Sequence, residues 1–156
     1  MHKTRVILLT LMFGVVMSCE DTTGPASSLA ATLSAESSIL QVGDSTVLSM
    51  VVRNSSSVAV TRTVPQGDLA FDVAIERSTG EELWRRSNQL AIKPAATLTI
   101  PAGGRVEFRC TLRVGGPIGA PLPPGDYRVR GFLVDAGTRV ITQAMPTLGI
   151  SVRASP

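Results

Sequence analysis

Phe71-Asp72-Val73-Ala74-Ile75-Glu76-Arg77-Ser78-Thr79-Gly80-Glu81-Glu82-Leu83-Trp84-Arg85-Arg86 is the stretch on which the reading of this chain turns. Phe71, Val73 and Ile75 alternate with Asp72, Ala74 and Glu76, the period-2 pattern of a half-buried strand whose polar members point outward. Ser78-Thr79-Gly80 predicts a tight turn, since Gly80 takes a positive φ without steric penalty. A second short strand then runs from Glu82 to Arg86 and carries Trp84, the chain's one tryptophan. Burying an indole is worth on the order of 4–6 kcal/mol, an upper bound because unfolded chains are partly compact. The hairpin, with Phe71 and Trp84 as core, is therefore expected at the centre of the fold.

Outward from this hairpin the chain keeps the same grammar. Short apolar or alternating runs at Ile39–Val42, Thr46–Arg53, Val58–Val64, Leu98–Ile100, Val106–Val114, Tyr127–Val134, Thr138–Gln143 and Thr147–Val152 are separated by Gly, Pro, Ser and Asn. The cleanest is Val106-Glu107-Phe108-Arg109-Cys110-Thr111-Leu112-Arg113-Val114, a strand of a sheet with one wet face. Cys110 falls on its apolar side, where a buried, unreactive thiol is expected. The pattern predicts an all-β domain, an immunoglobulin-like antiparallel β-sandwich of about eight strands over residues 39–156. Tyr127, soon after Pro124-Gly125 at a strand start, suggests a tyrosine corner, in which the hydroxyl ties down the incoming loop.

The N-terminus reads as a targeting segment. Lys3 and Arg5 precede the apolar run Val6–Met17, which has the length of a signal-peptide core and is short for a membrane span. It ends at Val16-Met17-Ser18-Cys19, which resembles the lipobox of bacterial lipoproteins, in which the cysteine is acylated and becomes the new N-terminus. Residues 1–18 are thus expected to be a lipoprotein-type signal peptide and Cys19 the lipidation site. Residues 19–38, small and polar, are expected to form a flexible tether with at most a short, marginal helix over Leu29–Glu36. Glu20 stands where an aspartate would resemble an inner-membrane retention signal, and the lack of that aspartate favours export to an outer membrane if the cell has one, with the periplasmic face or the cell surface as the expected location.

This processing decides what chemistry the chain can carry. It removes Lys3 and Arg5, so the 15 basic residues become 13 against 12 acidic ones, and the net charge falls from +3 to +1. A nucleic-acid partner then loses its electrostatic argument, and aromatic stacking platforms are lacking too. It also removes His2, the only histidine, which leaves one lysine, Lys93, and one unmodified thiol, Cys110. Nucleophilic triads lose their base and a zinc site loses its ligands, so no cofactor, no metal and no catalytic residue is assigned. Carboxylate-pair chemistry remains open in form, but Asp72 and Glu76 read as outward strand positions.

Asn54-Ser55-Ser56, Phe71-Asp72, Gly80 with Trp84-Arg85, the strand from Gly104 to Phe108, and Pro123-Pro124-Gly125-Asp126-Tyr127 stand in the order and spacing of a known family. Over Thr46–Val134 the chain resembles the BsuPI-type domain, named for an intracellular proteinase inhibitor. Phe71, Gly80, Trp84, Pro124, Gly125 and Tyr127 are the structural marks of that resemblance. The chain departs from the family pattern at Arg86, at Leu90-Ala91 and at Leu112. The resemblance implies an immunoglobulin-like fold and a proteinase inhibitor that works by protein binding rather than catalysis. Two loops are candidates for contact: the segment with Ser87 and Lys93, and the proline-rich segment with Gly115, Pro117, Pro121 and Pro123. The expected partner is a protease or another cell-envelope protein, with the membrane engaged through lipid on Cys19. The alternative is a non-inhibitory immunoglobulin-like binding or adhesion module, for which Arg109, Arg113, Arg128 and Arg130 would form a basic strip if their strands were neighbours.

Overall fold

The computed structural model describes residues 29–89, 94–117, 119–136 and 146–154. The signal segment, Cys19, Lys93 and the strand expected over Thr138–Gln143 lie outside the described residues. The strands are β1 (Leu29–Ala35), β2 (Ile39–Gln41), β3 (Ser45–Asn54), β4 (Val60–Pro65), β5 (Phe71–Arg77), β6 (Glu82–Arg85), β7 (Ala95–Ile100), β8 (Arg105–Arg113), β9 (Gly125–Leu133) and β10 (Thr147–Arg153). Single 3-10 turns occupy Gly67–Ala70 and Arg86–Gln89. One sheet has the order β1-β3-β8, a second β2-β10-β9-β5-β6, and β4 pairs with β7. The two larger sheets bury their facing residues against each other, as an immunoglobulin-like sandwich does.

Alternation sets the core. Leu48, Met50 and Val52 of β3 face Phe71, Val73 and Ile75 of β5 and Val129 of β9 across the sandwich, and each of these is all but fully buried. On β8, Cys110 and Leu112 are buried while Arg109, Thr111 and Arg113 are exposed, as the alternation requires. The opening hairpin forms as read. Gly80 has φ 88°, Gly80 N–H donates to Arg77 O at 2.9 Å, and Arg77 N–H donates to Glu81 O at 2.9 Å.

Three expectations are corrected. Residues 29–38 are not tether: β1 pairs antiparallel with β3 from Leu29↔Asn54 to Ala35↔Leu48, and no helix forms there. Leu29, Ala31, Leu33 and Ala35 turn toward the core while Ala30, Thr32 and Ser34 are exposed. Small side chains made this alternation look like linker composition, and β3 supplies the backbone partners that decide the matter. Trp84 is not the centre of the fold. It lies on β6, the edge of its sheet, half-buried against the core, with its indole Nε1 buried and without a partner among the described residues. Phe71, fully buried, takes the central place. Asp72 and Glu76 point to the outer side of the sheet as expected, but only 5% and 4% of their surface is exposed.

Candidate functional site

The strand directions place the loops at two ends. β9 begins after the proline-rich loop and its Tyr127 pairs with Arg77 at the end of β5, so the 78–81 turn lies beside that loop. The 42–44 turn joins them, because Gly43 N–H donates to Val114 O at 2.8 Å and Val114 N–H to Asp44 O at 2.9 Å. The opposite end carries the turns after Asn54 and before Arg105, joined by Asn54 N–H donating to Gly104 O at 2.9 Å, and the start of β5 at Phe71.

At the first end, the described residues 115–117 and 119–124 belong to a loop closed at its neck. Gly115 N–H donates to Ala120 O at 2.6 Å, and Ala120 N–H donates to Arg113 O at 2.8 Å. A Cβ on Gly119 would stand 2.0 Å from Gly115 O, so the neck closes this tightly only because position 119 has no side chain. Ala120 and Leu122 are buried and hold the loop to the core, while Pro117, Pro121, Pro123 and Pro124 are exposed. Tyr127 Oη donates to Pro123 O at 2.5 Å, which is the expected tyrosine corner. Gly115, Pro117, Pro121 and Pro123 thus belong to one braced, uncharged projection. Beside it stands Val42, one of the exposed large hydrophobic residues, whose Cγ1 lies 3.2 Å from the place a Gly115 Cβ would occupy.

Ser87 lies at the other end. Its backbone N–H donates to Asp72 Oδ1 at 2.9 Å, next to the start of β5. Seven strand residues separate the two ends, about 20 Å at the rise of an extended chain. Ser87 and the proline-rich loop therefore do not share one surface. The basic strip does not form either, because Arg109 and Arg113 sit on β8 in one sheet and Arg128 and Arg130 on β9 in the other. Arg109 pairs with Glu36 at 2.9 Å, and Arg130 pairs with Glu76.

On the outer side of the five-stranded sheet is a cluster that sequence reasoning did not assemble. Arg85 and Arg130 flank Ala74 in one cross-strand row, and their guanidinium carbons stand 4.7 and 5.0 Å from the Phe132 ring centroid. The small Ala74 leaves room for both to lie down on the sheet, where stacking on the ring adds cation–π attraction. Beneath and beside them are three carboxylates. Arg85 reaches Glu82 at 2.6 Å and Asp72 at 3.3 Å, and Arg130 takes Glu76. Asp72 Oδ1 also accepts the N–H groups of Val73 and Ser87 at 2.8 and 2.9 Å. The hydrogen bond from Arg85 holds the Glu82 carboxyl below its usual range, and the same bond raises the Arg85 pKa. Every carboxylate here has a cation, and the cluster clamps β6 to β5 and β9, with Arg130 Nε buried and without a hydrogen-bond partner among the described residues. The signal that could have found it is the register, which sets Asp72 opposite Phe132 and Ala74 opposite both arginines.

A family model described as BsuPI, intracellular proteinase inhibitor, matches residues 33–138, well over half of the chain. No curated protein matches. Among solved structures, the chain is similar to part of the alkylpurine DNA glycosylase AlkC of Pseudomonas fluorescens, bound to DNA containing an abasic site analog. The identity is 15% and the TM-score 0.50, over 81% of this chain and 31% of that one. It is similar also to part of a β-glucosidase from Erythrobacter marinus, at 13% identity and TM-score 0.50, over 81% of this chain and 15% of that one. The chain thus spans less than a third of either protein, and at such identities the likeness is one of fold alone.

Proposed function

This chain belongs to the BsuPI family of intracellular proteinase inhibitors, and we propose that it is an exported, lipid-anchored member that binds its protease through the loop at residues 115–124. Export and anchoring rest on the N-terminal signal and on Cys19. The inhibitory reading rests on the family together with one observation, the bracing of that loop. A protein inhibitor needs no catalytic group. It needs a segment that fits a protease cleft with its conformational entropy already lost before binding. Here four prolines, a neck of two short backbone hydrogen bonds, two buried anchors and the Tyr127 hydroxyl supply that rigidity. The segment at Ser87 is the weaker candidate, because its described part is engaged with Asp72.

The test is residual activity of a panel of serine proteases incubated with the purified protein, with complex formation followed in parallel. Inhibition at micromolar protein or below, with Pro121→Gly weakening it about tenfold and leaving the fold intact, is the expected result. No inhibition across the panel, with the protein itself uncleaved, sinks the inhibitory reading. Fatty-acid labelling tests the anchor, since a Cys19→Ala variant is expected to lose the label.

A further inference from the structure

The topology that brings β1 into the fold also decides which end of the sandwich faces the anchor. Leu29 opens β1 opposite Asn54, at the end away from the 115–124 loop. Only residues 20–28 separate it from Cys19, and so many residues span at most about 30 Å. The ten residues of β3 run from this end to the other, roughly another 30 Å. A second, independent feature marks the same end. Arg53 and Arg105 stand directly opposite each other on β3 and β8, both exposed, and neither has an ion-pair partner among the described residues. Like charges facing across a ladder repel each other. Anionic headgroups relieve that repulsion, and each basic group close to an anionic bilayer adds about fivefold to its partitioning.

We infer that the end of the sandwich bearing Arg53, Arg105 and the 55–59 turn docks on the anionic bilayer that holds Cys19, so that the 115–124 loop points away from the membrane. This orientation rests on the anchoring at Cys19 proposed above. It makes that loop the accessible end for a soluble protease and places Ser87 on the membrane side.

The experiment uses the full-length lipoprotein reconstituted in vesicles of phosphatidylglycerol and phosphatidylethanolamine at about 3:7, with a few per cent of headgroup-nitroxide lipid. A fluorophore is placed on Ser57→Cys or on Thr79→Cys, exposed positions at the two ends. Cys110 is buried, and the wild-type chain serves as the labelling blank. Quenching at position 57 is expected to exceed that at position 79 at least threefold, and the ratio should fall toward one with phosphatidylcholine in place of the anionic lipid. It should fall likewise with Arg53→Glu, which sets a glutamate opposite Arg105 and so leaves thermal stability equal or higher. Equal quenching at both positions, or stronger quenching at position 79, overturns the orientation. A ratio unchanged by lipid charge and by Arg53→Glu overturns the role of the two arginines. Intact mass separates the layers of the argument: a chain without acyl groups on Cys19 overturns the anchor itself, whereas an acylated chain with equal quenching overturns only the orientation.

Discussion

Replacing Tyr127 by phenylalanine tests the claim that the 115–124 loop is held before it meets a partner. The substitution removes one atom. The ring of Tyr127 is buried and stays so, while Pro123 O loses the 2.5 Å hydrogen bond that spans the corner. A hydrogen bond of this kind contributes about 1 kcal/mol net, with a spread of about half that on either side. Pro123 is exposed, so water can replace the lost donor and the penalty of a buried, unpartnered carbonyl does not arise. A loss of about 0.5–1.5 kcal/mol follows, equal to a fall in Tm of roughly 2–8 °C for a domain of this size. Urea unfolding with an unchanged m-value and a lower midpoint is the assay.

The same substitution separates stability from binding. With its lower anchor loosened, the loop has entropy to lose on docking, and an ordering penalty near 1 kcal/mol weakens inhibition about fivefold. A Tyr127→Phe protein as stable as the wild type refutes the corner as a structural tie. A protein destabilised as expected, yet inhibiting with unchanged affinity, refutes the loop as the contact.

Other positions give sharper or weaker effects, each for a stated reason. Asn54 is fully buried and its amide donates to Val58, Ile100 and Pro101 carbonyls at 2.8–3.1 Å, so Asn54→Ala should lower unfolding free energy by about 2–4 kcal/mol in chemical denaturation. Asp72→Ala strips the acceptor from Val73 and Ser87 N–H and a partner from Arg85, and a loss of about 2–4 kcal/mol is expected; a loss below 1 would show the carboxylate to be dispensable. Phe71→Ala should cost about 3–5 kcal/mol and half-buried Trp84→Ala only about 2, a ranking that equilibrium unfolding of the two variants checks directly. Glu82 has a folded-state pKa below its unfolded value, so its ion pair adds stability above the ordinary glutamate range and loses it as pH falls through the folded value. Because Glu82 is about a third exposed, a small acid-limb difference between wild type and Glu82→Gln is the expected reading in pH-dependent melting.

How far the sequence could be read follows from what each feature depends on. The strands with bulky alternation, such as Val106–Val114 and Phe71–Glu76, were legible because period 2 is a property of the strand alone. The turn at Gly80 and the corner at Tyr127 were legible because each is local, closed within a few residues. β1 escaped because Ala, Ser and Thr carry little hydrophobic contrast, and its strand state depends on β3, some twenty residues away. For Asp72 and Glu76, alternation gives the face but not the environment. Their burial comes from Arg85 and Arg130, which the register brings over them from two other strands. Trp84 contributes less than its size suggests for a related reason: side-chain size sets what burial can yield, but position in the sheet order sets how much is buried, and β6 is an edge.

These same interactions bear on where recognition can occur. A partner docking on the outer side of the five-stranded sheet would have to strip water from Glu82, Arg85 and Arg130, which are already ion-paired with one another and with the carboxylates of Asp72 and Glu76. Any new contact there competes with an existing one, and desolvating paired charges returns little net affinity. The outer side of the β1-β3-β8 sheet is likewise charged, with Arg109 joined to Glu36 and Glu107. The loop at 115–124 has no charged side chain to desolvate, its backbone neck is already closed, and exposed Val42 extends its apolar surface. Little polar desolvation and little ordering entropy are the two conditions under which a small contact can bind tightly, and among the described surfaces the described part of this loop meets both.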